Sequence, residues 1–161
     1  MNVKFEINVK QFEVMNDKMI QQVKRGVEKG VKDISAQILD SATDIVYNQK
    51  SYETKEKYES KSGFRTGNLG RSYMEQYTWT GSSYTAILSN KASYFPYVEL
   101  GTGIYAVGGR QTPWCYQDAE GIWHWTKGQR GKYSFTQALN IHYDNIVPTV
   151  NKWIQYELGG I

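Results

Sequence analysis

The chain has 161 residues, 40% of them hydrophobic, and its 19 basic and 16 acidic side chains give a net charge of +3. That length suits one domain with a core of its own, and the mild charge excludes the strongly basic footprint of a dedicated nucleic-acid binder while leaving a weak DNA contact open. The single cysteine, Cys115, excludes an internal disulfide, and no apolar run is long enough to span a membrane.

Val3, Phe5, Ile7 and Val9 alternate with Lys4, Glu6, Asn8 and Lys10, the period of a half-buried strand. The same stretch lacks the apolar centre of a signal peptide, so a protein that begins life soluble in a cytoplasm is expected. Met19, Val23, Val27, Val31, Ile34, Ile38, Ala42 and Ile45 recur at spacings of four and three, with Asn16 or Asp17 placed to cap the start. This predicts a helix of about 30 residues, roughly 45 Å long. A helix of that length overshoots a domain this small, so its N-terminal half is expected to touch other chains. Gly26 and Gly30 lie one turn apart inside it, each costing about 1 kcal/mol relative to Ala. They are either candidate interface positions, where another backbone comes close, or tolerated surface glycines. Residues 48–64 lose periodicity and alternate Lys with Glu, which reads as a long exposed loop, either solvated or ordered only against a neighbour.

A turn at Thr66-Gly67 precedes two stretches rich in β-formers, Ser72 to Thr78 and Tyr84 to Asn90, joined as a hairpin through Thr80-Gly81-Ser82-Ser83. Ser93 to Leu100 forms a short helix with Pro96 in its first turn and Gly101 ending it. Gly101, Gly103, Gly108 and Gly109 then mark a flexible crossing. Trp114-Cys115-Tyr116 and Ile122-Trp123-His124-Trp125 flank Asp118-Ala119-Glu120-Gly121 as a second hairpin, so that residues 108–133 read as an aromatic hairpin and basic loop inserted into one domain spanning 1–161. Phe135, Ala138, Leu139, His142, Ile146, Val150, Trp153 and Leu158 follow a helical period that Pro148 kinks or splits. The fold class expected is α+β, a long N-terminal and a C-terminal helix packed on an antiparallel sheet of short strands.

Catalytic signals are sparse. His124 and His142 have no metal spacing to each other, no Cys cluster or His-Glu-x-x-His pattern is available for zinc, and the glycine run 101–109 lacks the Lys-Ser or Lys-Thr of a phosphate loop. No cofactor or metal site is expected and enzymatic function is disfavoured. Trp114, Trp123 and Trp125 are candidate interface anchors, since Trp is typical of such sites, with core packing as the alternative. Lys127, Arg130 and Lys132 make the most basic short segment, which either faces DNA through its phosphates or is an ordinary solvated loop.

Two segments carry a resemblance. Arg65-Thr66-Gly67-Asn68-Leu69-Gly70-Arg71-Ser72 matches a TGxLxxS turn, and Tyr94-Phe95-Pro96-Tyr97-Val98-Glu99-Leu100-Gly101-Thr102-Gly103 matches a YxxYVExGT segment. In that order, and followed by Phe135, Ala138 and Leu139 opening a helix, they resemble the head-tail joining, or tail-completion, neck proteins of tailed bacteriophages and prophages. The resemblance covers roughly residues 17–158. It implies a virion structural protein made in the host bacterial cytoplasm, forming a ring of its own copies between the portal or connector and the tail. Adjacent connector or stopper and tail tube or terminator proteins would be its partners, with non-specific DNA in the channel as a further one. Thr66, Gly67, Leu69, Ser72, Tyr94, Pro96, Glu99, Gly101 and Thr102 are then motif residues of structural purpose. Glu99 would be a buried clamp, accepting hydrogen bonds from the Thr66-Gly67 turn or from a hydroxyl, or else a surface helix residue. Gly67 and Gly101 would supply positive φ. Gly70, where a basic residue is common, and the aromatic hairpin, in place of a shorter loop, depart from the pattern. The alternatives are a prophage-encoded DNA- or partner-binding module without catalysis and, more remotely, a hydrolase using Cys115 or His124.

Overall fold

The computed structural model describes residues 2–8, 17–48, 68–117 and 121–159. Strand β1 (Val3–Asn8) and helix α1 (Asp17–Asn48) are followed by the single turn α2 (Asn68–Arg71), strands β2 (Tyr73–Thr80) and β3 (Ser83–Asn90), and helix α3 (Phe95–Leu100). A small hairpin, β4 (Trp114–Gln117) and β5 (Trp123–Thr126), precedes helices α4 (Ser134–His142) and α5 (Ile146–Glu157). This is an α+β fold. Of the predicted loop 48–64, Asn48 closes α1 and the remainder lies outside the described residues, as do Thr66 and Gly67.

The main sheet has the order β1-β3-β2 and is antiparallel throughout. Gly81 and Ser82 make the two-residue turn between β2 and β3, with Gly81 at φ 60°, the positive value that tight hairpin turns require. Alternation sends Phe5, Ile7, Tyr77, Trp79, Tyr84 and Ala86 toward α1, where they join Val23, Val27, Val31 and Val150 in one core cluster. A second cluster continues along the same helix, where Ile34, Ile38, Ala42 and Val46 meet Leu69, Leu88, Phe95, Phe135 and Ala138. The fourfold and threefold spacing of the α1 apolar residues thus draws one continuous buried stripe.

The expectation that α1 overshoots its own domain is overturned. The C-terminal helix breaks at a 3-10 turn, Tyr143–Asn145, and Pro148 sits in the first turn of α5. A proline ring clashes with the carbonyl four residues back and offers no N–H, which ends a helix just where the break is seen. The two segments together run antiparallel to α1: Ser41 Oγ meets His142 Nε2 at 2.8 Å, and Gln22 Nε2 donates to the Glu157 carbonyl at 2.8 Å at the far end. Both halves of α1 are therefore covered from within the chain.

Gly26 and Gly30 are corrected in the same way. A Cβ on Gly26 would fall 2.5 Å from the Ile154 Cα, and one on Gly30 would fall 2.6 Å from the Val150 Cα. The backbone that comes close is α5 of the same chain. Around this contact Glu157 bonds Lys29 at 2.6 Å and Arg25 at 3.0 Å, while the Trp153 indole donates to Asp33 at 2.8 Å. Glu157 is held below the ordinary carboxylate value of 4.5 by the Lys29 and then the Arg25 hydrogen bond. Asp33 is held below 3.8 by the Trp153 and Gln37 hydrogen bonds.

Candidate functional site

Helix α4 starts without a local cap: its N-cap residue, Tyr133, has left-handed φ 49° and no capping side-chain bond. Helix N-termini leave N–H groups without intrahelical partners, and here a carboxylate from α3 supplies them. Glu99, 0% exposed, accepts from the Ser134 N–H at 2.7 Å, the Phe135 N–H at 3.0 Å and the Ser134 hydroxyl at 2.5 Å. Negative charge at a helix N-terminus is further favoured by the helix dipole. Phe95, Phe135 and Tyr73 pack edge to face around the group, with ring centroids 5.4 to 5.8 Å apart. The Tyr73 hydroxyl bonds Ser134 Oγ at 3.1 Å, and burial pushes the phenol up to about 12. Glu99 is a clamp whose donors belong to α4, where a hydroxyl is one of them. Ser134, which the sequence reading passed over, is the first residue of α4, one place past the N-cap where serine is usual.

The motif residues meet at this end of the sheet. Leu69 and Phe95 share the core cluster, Asn68 Nδ2 donates to the Tyr94 hydroxyl at 3.3 Å, and Asn90 Nδ2 donates to the Leu69 carbonyl at 2.9 Å. Ser72 Oγ closes α2 onto the Asn68 carbonyl at 2.7 Å. Gly70 has a local reason: a Cβ there would lie 2.6 Å from two ring atoms of Tyr47. Pro96 occupies the first turn of α3, and Gly101 ends it at φ 83°. Phe135 and Ala138 are fully buried, and Leu139 packs against them.

Beyond Gly101 the chain is zipped to the segment that returns from the hairpin. Lys132 N–H donates to Val98 at 2.8 Å, Tyr133 to Glu99 at 3.0 Å, Thr102 to Gln129 at 2.7 Å and Ile104 to Lys127 at 3.0 Å. Thr102 Oγ1 adds a bond from the Gln129 N–H at 2.9 Å. Gly101, Gly103, Gly128 and Gly131 line this seam, and a Cβ on any of them would strike backbone on the opposite side. The predicted flexible crossing is, over residues 98–104, one rail of a paired stem.

The hairpin on this stem presents apolar rings to solvent. Trp123 is 65% exposed and Trp125 75%. Pairing places Cys115 across from Trp125 and Gln117 across from Trp123, so these four share one face. Trp114 lies on the other face with Tyr116 and His124, half-buried beneath the Arg110 guanidinium at 5.7 Å. The three tryptophans are therefore not one group, because alternation along a strand turns Trp114 away from the exposed pair. The same alternation separates Cys115 from His124, whose ring stands 5.3 Å from Tyr116.

The basic segment divides too. Lys132 donates its ammonium to the Val46 carbonyl in the last turn of α1, a cation on the negative end of a helix. Arg130 lies 5.2 Å over the Tyr105 ring, and Lys127 is exposed. Among the described residues no three His, Cys, Asp or Glu side chains are grouped to hold a metal ion, and no helix is long and apolar enough to cross a membrane. No family model, curated protein or solved structure matches the chain.

Proposed function

We propose that the protein is a structural component of a bacteriophage head-tail junction, a neck or tail-completion subunit that assembles with copies of itself between the connector and the tail. The observation that carries this reading is the meeting of the two motif segments. Leu69 and Ser72 precede the β2–β3 hairpin and Tyr94 to Thr102 follow it, and the two segments meet where Leu69 shares a core cluster with Phe95 and Asn68 bonds the Tyr94 hydroxyl. Motif residues used for shape rather than chemistry suit a protein whose work is mechanical. The exposed Trp123–Trp125 face adds the kind of aromatic surface that partners bury.

The test is genetic and visual. In lysates of the phage or induced prophage encoding it, loss of the chain should leave filled heads and separate tails, and images of the intact particle should place the chain at their junction. Normally joined particles lacking the chain would overturn the reading. A DNA affinity falling steeply with salt in the isolated protein would favour the DNA-binding alternative instead.

A further inference from the structure

The main sheet leaves two edges, and they differ. Edge β2 is covered: Lys24 and Lys32 of α1 lie over its Trp79 and Tyr77 rings at 5.3 and 5.6 Å, the kind of cationic cover by which natural sheets blunt an edge. Edge β1 has six residues, pairs with β3 in unbroken register and contains neither proline nor glycine. The direction of its hydrogen bonds follows from the β2–β3 turn. In a two-residue hairpin the residues flanking the turn, Thr80 and Ser83, exchange both backbone bonds, and bonding alternates from there. Ser83, Thr85 and Ile87 therefore bond β2, while Tyr84, Ala86 and Leu88 bond Ile7, Phe5 and Val3 of β1. The N–H and C=O groups of Lys4 and Glu6 point outward, and no described residue bonds them. The Lys4 and Glu6 side chains are exposed 3.9 Å apart, on the strand face opposite the one that sends Phe5 and Ile7 toward α1.

We propose that β1 pairs antiparallel with β1 of a second copy about a two-fold axis at Phe5, joining the two main sheets into one. Charge selects both the partner and the register. Outward groups must meet outward groups, so the axis falls at Lys4, at Phe5 or at Glu6. An axis at Lys4 sets that ammonium against its own copy, and an axis at Glu6 does the same to the carboxylate; like charges directly opposite are destabilising. An axis at Phe5 sets each Lys4 against the second copy's Glu6, Phe5 against Phe5, and Val3 against Ile7. Opposite charges then share the open face of the joined sheet, and apolar side chains share the face toward α1. This complementarity belongs to the chain's own strand by symmetry, which is what an isologous contact requires. Such a contact closes at two copies, so it neither builds the ring proposed above nor depends on that reading.

The contact is small, so sedimentation of the parent chain should show a dimer with a dissociation constant on the order of micromolar. As concentration rises, the Lys4 and Glu6 amides should gain exchange protection, while those of Phe5 and Ile7, already bonded to β3, should change little. Lys4→Glu and Glu6→Lys should each weaken self-association about tenfold or more, because either one turns both opposed pairs into like charges. Mixed in equal amounts, these two variants should associate with each other, and the double swap of Lys4→Glu with Glu6→Lys should self-associate like the parent. Glu6→Pro should leave a folded monomer, since proline is tolerated where an edge N–H faces solvent, and should abolish the dimer. A parent chain that stays monomeric at hundreds of micromolar overturns the contact. So does self-association that either single charge reversal or Glu6→Pro leaves unchanged, or a pair of single variants that do not associate when mixed.

Discussion

Glu99 and Trp125 reverse each other's customary placement: the carboxylate is 0% exposed in the body of the protein, while the indole is 75% exposed on the hairpin. Burying a charge is costly unless hydrogen bonds replace its water, and Glu99 has three such bonds from the start of α4. Leaving indoles in water forgoes hydrophobic stabilisation that burial against a partner would recover. The body thus holds a polar group for its own architecture, and the hairpin holds apolar groups back from it. The contrast separates residues that maintain the fold from residues available for contact.

The largest effect should come from removing the buried acceptor. Glu99→Ala strands two N–H groups and a hydroxyl and should cost at least about 3 kcal/mol, read from the denaturant midpoint. Glu99→Gln keeps the volume but turns one acceptor into a donor facing donors, so it too should destabilise. A parent-like midpoint for both would mean that α4 starts unaided. Next in size, Gly26→Val should push α5 away from α1 and cost about 2 kcal/mol. Gly81→Ala meets nothing within 4 Å and should cost only about 1 kcal/mol for its positive φ. Equal losses at the two glycines would refute the tight helix contact.

Acid should loosen that same contact at a smaller cost. Glu157 and Asp33 have carboxyls lowered by partners across or beside the α1–α5 joint, so their contribution is fully present above about pH 5. It is lost as pH falls below the ordinary values and through the folded ones. Amides of α5 should therefore lose exchange protection near pH 3 before those of α4, and simultaneous loss would show that these carboxylates do not hold the joint. The smallest effect on stability belongs to the hairpin: Trp123→Ala and Trp125→Ala should each shift the midpoint by less than about 0.5 kcal/mol. A loss of several times that would return the rings to the core.

Periodicity made the elements legible. The α1 stripe, the β2–β3 turn at Gly81, the Pro96 start and Gly101 stop of α3, and the alternation of β4–β5 each depend on residues adjacent in sequence, which is where propensity and steric rules act. What was not legible is pairing at a distance. Glu99 finds its donors 35 and 36 residues away, and nothing in a helical period names that partner. Gly101 and Gly103 face Gly128 and Gly131 for the same reason: each run alone reads as a loop. Coverage of α1 is misjudged when helix length is set against domain size alone, because α5 resumes the antiparallel course beyond the proline break and covers the N-terminal half. Splitting Trp114 from Trp123 and Trp125 required the strand register, which fixes faces that composition leaves open.

The clasp between Glu99 and Ser134 has one more consequence, for how such a protein can change over evolutionary time. Residues 100–133 form a closed excursion whose two feet are already fastened by the body. Once the feet are fixed, doubling the length of an excursion costs only about 0.6 kcal/mol of closure entropy. Its distal part can therefore be shortened, extended or exchanged for another shape while α1, the sheet and α4 keep their packing. Such a protein can be refitted to a new neighbour by rewriting an appendage instead of redesigning a core.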